Sequence, residues 1–409
     1  EELVDWKKLT ATAVLPNPRP IWEWTTGEET WPGMGGNPVP RDAMNFVYDP
    51  CIWKKGQWYY TLSGAARTHA PSGRRIRAQF LCRSTHLVNW EYLHPFLEDD
   101  IYGEAGDDGG CPYFWPIGDR HMLLHFSHRS GSHYLVGDYD TERDKFVVAH
   151  GGRFTFGPWY PGGLHAPSAT PDGRGGLVAF FNVNAAKPTP GWNQVMSLPR
   201  RLTLDPPDVL RMEPAGDLES LRHSRREAPP QVLPANREVM LDGLGGNAIE
   251  MVAEIDPRDA QLVELNVLRS PGGEEFTRIG FQRNRGYVDW ARTEPWKTFA
   301  DRRDSVLFVD TGHSSELPDV ESRAPETAPL FLAPGETLKL RVFIDKSILE
   351  VFANGRQCVT LRVYPGRADS VGLSLRAQGS EAELRSLEVW QMRGAYDTGG
   401  TCDHAQGTV

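Results

Sequence analysis

Cysteine is scarce and scattered. Five occur in 409 residues (Cys51, Cys82, Cys111, Cys358 and Cys402), none in a Cys-x-x-Cys pair, which excludes a dense disulfide framework and argues against zinc ligation. Positive charge is also in deficit, with 44 Lys and Arg against 54 Asp and Glu and a net charge of -10. A nucleic-acid binder needs a basic face to neutralise phosphates, so no nucleic-acid partner is expected. No apolar run approaches the ~20 residues of a membrane-spanning helix, and no membrane partner is expected. Neither a phosphate-cradling glycine loop nor a Gly-x-Ser-x-Gly elbow occurs, and the twelve histidines show no metal-ligand spacing. No metal or cofactor is therefore expected. The chain starts Glu-Glu, without an initiator Met or a basic-then-apolar leader, and the expectation is that a segment upstream has been removed or left out. That suits a secreted or periplasmic protein, a cytoplasmic one being left open. Nothing in the pattern speaks to oligomeric state.

Long stretches with a 3.6-residue apolar period are missing as well. What is plentiful is Gly and Pro, 41 and 32 residues, which favours many short strands and turns. Trp58–Leu62, Gln79–Cys82, Met122–Phe126, Tyr134–Gly137 and Leu177–Phe181 are short β-prone runs bounded by turn-forming residues. Their regular spacing suggests radial blades or a large sandwich. A second β-rich region runs from about residue 238 to 393. In Leu338–Asp345 alternation puts Leu340, Val342 and Ile344 on one face; Ile348–Ala353 follows, then the hairpin signal Asn354-Gly355, then Cys358–Val363. A chain this long exceeds one ordinary core. The expected division is 1–200, a connection at 201–237 rich in Pro, Arg and Asp, a second domain at 238–393, and a polar tail at 394–409.

Two segments carry chemistry. Tyr48-Asp49-Pro50 opens a strand–turn–strand unit, and its commonplace reading is an Asp bonded to its own turn. Glu104, Asp107 and Asp108 lie in a glycine-rich loop just before Cys111-Pro112-Tyr113-Phe114-Trp115-Pro116. Adjacent carboxylates repel, so burial with a ligand would raise one pKa toward that of a general acid. A solvated acidic loop or an oxygen-ligand cation site is the alternative. His125, His128 and His133 cluster near one strand pair and read as structural or rim residues.

In order along the chain, these segments resemble glycoside hydrolase family 32, which includes invertases, inulinases and levanases. Tyr48-Asp49-Pro50 is similar to the family's Arg-Asp-Pro block, Phe80–Leu93 to its strand followed by Ser-x-Asp-Leu-x-x-Trp, and Cys111–Ile117 to its Glu-Cys-Pro-Asp block. Gly137–Asp140, Phe156-Gly157 with Ala166-Pro167-Ser168, and Gly191–Leu204 resemble later motifs, and the 340–363 hairpin its C-terminal signature. The resemblance implies an all-β fold, a five-bladed β-propeller followed by a β-sandwich. It implies retaining cleavage at a β-fructofuranosyl unit by two carboxylates, with a carbohydrate substrate as partner.

Three departures matter. Tyr48 stands where the family has Arg. Gly110 stands where it has the acid/base Glu. The Asn-Asp-Pro block that carries its nucleophile has no counterpart, and Leu3–Leu9 instead resembles the close of the first blade, so that blade is expected to be incomplete. Met44-Asn45 is a weaker match to the nucleophile block. The expected catalytic set is Asp49, gripping sugar hydroxyls, with Asp108, then Asp107, then Glu104 as displaced acid. Tyr48, Trp53, Cys111, Tyr113, His165 and Trp192 are the expected substrate contacts. The alternatives are a non-catalytic fructan-binding homologue and a hydrolase of another furanoside, such as an arabinofuranoside.

Overall fold

The computed structural model describes residues 48–69, 73–206, 208–286 and 305–395. The stretch 3–9, the Met44-Asn45 pair and the completeness of the first blade lie outside these residues. Among them the chain is built from strands and two short 3-10 turns, Glu219–Leu221 and Arg283–Gly286, so the all-β expectation holds. No helix there is long and apolar enough to cross a membrane.

The first antiparallel sheet contains β1 (Tyr48–Lys55), β2 (Trp58–His69), β3 (Arg74–Ser84) and β4 (Glu91–Pro95), in that order. The second contains β5 (Leu97–Glu98), β6 (Gly110–Ile117), β7 (Arg120–Ser127), β8 (Gly131–Asp140) and β9 (Lys145–Arg153), with β5 running parallel to β9. Between them, Leu62, Leu81, Phe96, Phe114, Leu123, Leu135 and Phe146 form one apolar core. A third sheet is formed by β10 (Leu164–Pro171), β11 (Leu177–Val183), β12 (Val195–Met196), β13 (Arg200–Asp205) and β14 (Val209–Pro214). The period-2 pattern is plain in β11, where Leu177, Ala179, Phe181 and Val183 are buried and the residues between are half-buried.

The remaining strands are β15 (Arg222–Ala228), β16 (Gln231–Leu233), β17 (Glu238–Gly245), β18 (Ala248–Asp256), β19 (Leu262–Arg269), β20 (Thr277–Gln282) and β21 (Val306–Asp310), followed by β22 (Glu326–Pro329), β23 (Leu338–Asp345), β24 (Ile348–Ala353), β25 (Gln357–Arg362), β26 (Gly372–Gln378) and β27 (Ala382–Met392). They make two sheets. One has the order β15-β27-β18-β23-β24-β25 with β16 on β27; the other is β17-β26-β19-β20-β21-β22. Met251, Val342, Ile344 and Val351 from the first meet Leu265, Ile279, Phe281 and Leu375 from the second in a shared core, which is a sandwich. Leu340, Val342 and Ile344 face inward as their alternation implied. Asn354 and Gly355 both take positive φ, 50° and 60°, and the Arg356 N–H closes the turn on the Ala353 carbonyl at 3.0 Å.

The segment 201–237 differs from the expected connection. It carries most of β13 and all of β14, β15 and β16, because Leu202, Leu210 and Met212 alternate as buried residues among the charges. Nor do the compact units part near residue 200. One unit takes the described residues up to Thr155, then His165–Asn182 and Leu202–Val209; the other takes Phe156–Leu164, Val183–Arg201 and the described residues from Leu210 onward.

Candidate active site

Two strands lose register where the sequence drew attention. The β1–β2 pairing shifts between Tyr48 and Pro50, and the β6–β7 pairing between Gly110 and Tyr113. Asp49 and Cys111 sit in these irregularities with φ of 48° and 47°, the left-handed region that side chains other than glycine rarely adopt. Bulges of this kind bend a strand and re-aim the residue they carry. Here the two aimed residues meet. The Cys111 backbone N–H donates to Asp49 Oδ2 at 2.9 Å, and the thiol lies 3.4 Å from the same oxygen. The Asp49 residue stays exposed.

The acidic loop ahead of β6 separates its three carboxylates. Asp107 is fully buried. It accepts from the hydroxyls of Ser127 at 2.7 Å and Ser130 at 2.5 Å and from the Glu104 N–H at 2.7 Å, with an Arg77 nitrogen 3.9 Å away. Arg77 is held in turn by both oxygens of Asp100, each at 2.7 Å. Asp107 thus ties the loop to the sheet beneath it, with its carboxylate enclosed by these partners. Glu104 is ion-paired with Arg153. Asp108 is bonded twice by one residue: the His128 N–H at 3.1 Å on Oδ1, and His128 Nδ1 at 2.6 Å on Oδ2. The mutual repulsion expected of Asp107 and Asp108 is replaced by separate partners.

His128, exposed with 43% of its side chain accessible, is one of the histidines the sequence reading took as structural or rim residues. Its signal was available in the hairpin. Gly110 pairs with Phe126, so two steps further out Asp108 falls opposite His128. The hydrogen bond to Asp108 lifts the His128 pKa above the ordinary 6.5, with the charges of Asp108 and Asp49 adding and burial opposing. His165, on β10, packs edge-on against Phe126 at 4.4 Å between centroids and lies 6.5 Å from the His128 ring. Burial lowers its pKa, as does the His128 charge, while Asp49 opposes. Burial also pushes the Cys111 thiol up to about 12, reinforced by Asp49 and Asp108. Asp49, Asp108, Cys111, His128 and His165 are therefore one electrostatic cluster.

The other expected contacts are placed elsewhere. Tyr113 donates its hydroxyl to Ser168 Oγ at 3.3 Å, joining β6 to β10. Tyr48 opens β1 opposite Gly64. Trp53 stacks on Tyr60 at 5.7 Å and packs, partly buried, against Phe96 and Phe114 at the core between the first two sheets. Trp192 belongs to the other unit, where the Arg362 guanidinium lies over its ring at 5.0 Å. Among the described residues no group of three or more His, Cys, Asp or Glu is arranged to hold a metal ion.

Comparison with known proteins places this geometry. Residues 21–214 match the model of the glycosyl hydrolases family 32 N-terminal domain, and residues 217–391 that of the family 32 C-terminal domain. The chain belongs to glycoside hydrolase family 32. Its fold is accordingly a β-propeller followed by a β-sandwich. A levanase from Bacillus subtilis is 26% identical over 90% of this chain and 54% of its own length. An acid beta-fructofuranosidase from Phaseolus vulgaris is 26% identical over 96% and 63%. The chain thus spans less than two-thirds of the length of these family 32 relatives. The fructan 1-exohydrolase IIa of Cichorium intybus superposes with a TM-score of 0.69 at 17% identity, over 89% of this chain and 75% of that one. The sucrose-6-phosphate hydrolase of Lactobacillus gasseri does so with a TM-score of 0.62 at 19% identity, over 89% and 70%.

Proposed function

We propose that this chain acts on β-fructofuranosides of the sucrose or fructan type, as a glycoside hydrolase in which Asp49 grips the hydroxyls of the fructosyl unit. The observation that carries this reading is the exposed Asp49 carboxylate, aimed by a strained bulge and steadied by the Cys111 N–H. Left-handed strain at a non-glycine residue costs about 1–2 kcal/mol and persists where the surroundings impose it, which is typical of functional positions. Family membership and relatives named levanase and acid beta-fructofuranosidase support the substrate class.

The reaction so proposed is retaining. A carboxylate attacks the anomeric carbon, a donor protonates the departing oxygen, and water then releases the fructosyl unit. Asp108 stands on the donor side, carried beside Cys111 by the loop that leads into β6. Asp49→Ala is expected to lower kcat by about 10²-fold or more, as loss of an oriented transition-state contact does. The check is sugar release from sucrose, inulin and levan, with aryl arabinofuranosides as the competing substrate panel.

Gly110 at the family's acid/base position favours a second reading, a fructan-binding protein that has lost turnover. Calorimetric binding of inulin or levan, weakened by Asp49→Ala, without sugar release from any of these substrates would select it.

A further inference from the structure

Gly110 has no side chain to give a proton, and the loop that might replace it is mostly committed. Asp107 is enclosed by Ser127, Ser130 and the Glu104 N–H, and Glu104 is paired with Arg153. Asp108 remains, yet both its oxygens accept from a single residue, the His128 N–H at 3.1 Å and Nδ1 at 2.6 Å. A carboxylate that accepts at both oxygens is placed to hold an imidazole in one orientation and to stabilise its charged form. The backbone contact fixes the start of the turn after β7, and the ring contact fixes the imidazole plane. His128 itself is partly open to solvent, with 43% of its side chain exposed against 11% for Asp108.

Resting on the hydrolase reading above, we infer that His128, held by Asp108, is the group that protonates the leaving oxygen, and that Asp108 is its positioning residue. In its charged form the ring donates to Asp108 through Nδ1 and carries its second proton on Nε2. As the glycosidic C–O bond breaks, its electron pair passes to the leaving oxygen, which takes the Nε2 proton. A carboxylate oxygen bonds to the anomeric carbon, and water then displaces it, the new C–O bond forming as the carboxylate leaves with its electron pair. That water's proton returns to Nε2, so one water is consumed and His128 ends as it began. Among the described residues, ionisable groups that act on His128 include Asp108 from the loop before β6, Asp49 from β1 and His165 from β10, with the Cys111 thiol beyond Asp49. Two negative charges against one histidine bias it toward the charged form that a donor requires. Its titration above the ordinary histidine value supports the geometry.

The test uses the full-length protein, its His128→Asn and Asp108→Asn variants, and two kinds of substrate. Sucrose has a leaving group that needs a proton; a p-nitrophenyl β-fructofuranoside does not. His128→Asn should lower the rate on sucrose by about 10²-fold or more, with a much smaller loss on the aryl substrate, and should remove the alkaline limb of kcat/KM. Asp108→Asn keeps an oxygen for Nδ1 but removes the charge, so the alkaline limb should persist and move to lower pH. Nitrogen-detected histidine titration by NMR gives a readout without turnover: His128 should titrate above the ordinary value in the parent protein and lower in Asp108→Asn. An unchanged sucrose rate and alkaline limb in His128→Asn, or a His128 that titrates at or below the ordinary value, overturns the inference alone. No turnover of either substrate by the parent protein overturns the hydrolase reading and the inference with it.

Discussion

At Asp49 and Cys111 the backbone holds a conformation that neither side chain prefers, and each steadies the other through the Cys111 N–H. The shorter bond, at 2.9 Å, is from the backbone, and the thiol adds only a longer contact at 3.4 Å. Cys111→Gly should stay within about 1 kcal/mol of the parent, because relief of left-handed strain offsets the extra freedom of unfolded glycine. Cys111→Val, branched at Cβ, should lose about 1–2 kcal/mol or more, and denaturant midpoints for the pair would check both. His128 gives a pH signature of its own. Its folded pKa is raised, so its contribution to stability is full below the unfolded value near 6.5 and fades as pH rises through the higher folded one. The melting-temperature gap between the parent and His128→Asn should therefore be widest near pH 5–6 and shrink in mildly alkaline buffer. The sequence showed that carboxylates crowd residues 104–108 but not which neighbour each takes. That depended on partners such as Ser127, His128 and Arg153, some 20 to 50 residues away on the following strands and turns.

Strands with uninterrupted alternation were legible almost residue for residue. Leu338–Asp345 and Ile348–Ala353 form with the expected bounds, and the next strand starts at Gln357 rather than Cys358. Between 201 and 237, Pro and Asp pairs break the pattern, and tertiary pairing decides instead. One such strand, β13, supplies Arg200, fully buried with a nitrogen 3.5 Å from Glu350 on β24. Glu350 also accepts from the Leu198 N–H at 2.5 Å and from Thr360 Oγ1 at 2.7 Å. Burial pushes the Glu350 carboxyl up, and the Arg200 charge pulls it back. Removing one partner leaves the other charge buried and uncompensated, so Glu350→Ala should cost about 3–5 kcal/mol. Replacing both, Arg200→Met with Glu350→Leu, should cost much less than the two single changes together. A double-mutant cycle by denaturant unfolding measures the difference.

At the scale of the whole molecule, the compact units interleave along the chain, although the two family models meet between residues 214 and 217. The sandwich unit takes essential partners from the earlier segments. Phe156 N–H caps Glu326 at 2.9 Å, the Arg323 guanidinium donates to the carbonyls of Pro158 and Gly162, and Tyr364 OH accepts from Ala186 N–H at 3.1 Å. A fragment of residues 217–391 leaves Glu326, Arg323 and Glu350 short of these partners. It should melt well below the full chain and give little soluble protein; equal melting temperatures would refute that. Composition gave no hint of this exchange, since unit membership is settled by contacts made across more than 150 residues.

The order of one sandwich sheet, with β27 between β15 and β18, also sets a timetable for synthesis. A ribosome delivers β15 and β18 long before β27, and at about 5–20 residues per second the interval is on the order of ten seconds or more. Through that interval the flanks of β15 and β18 that will receive β27 are bare edges, able to pair with any β-prone segment nearby. On a crowded message the nearest such segments belong to neighbouring copies of the same nascent chain. The hazard for this protein is therefore greatest before it is finished, and slower translation of the last strand lengthens it.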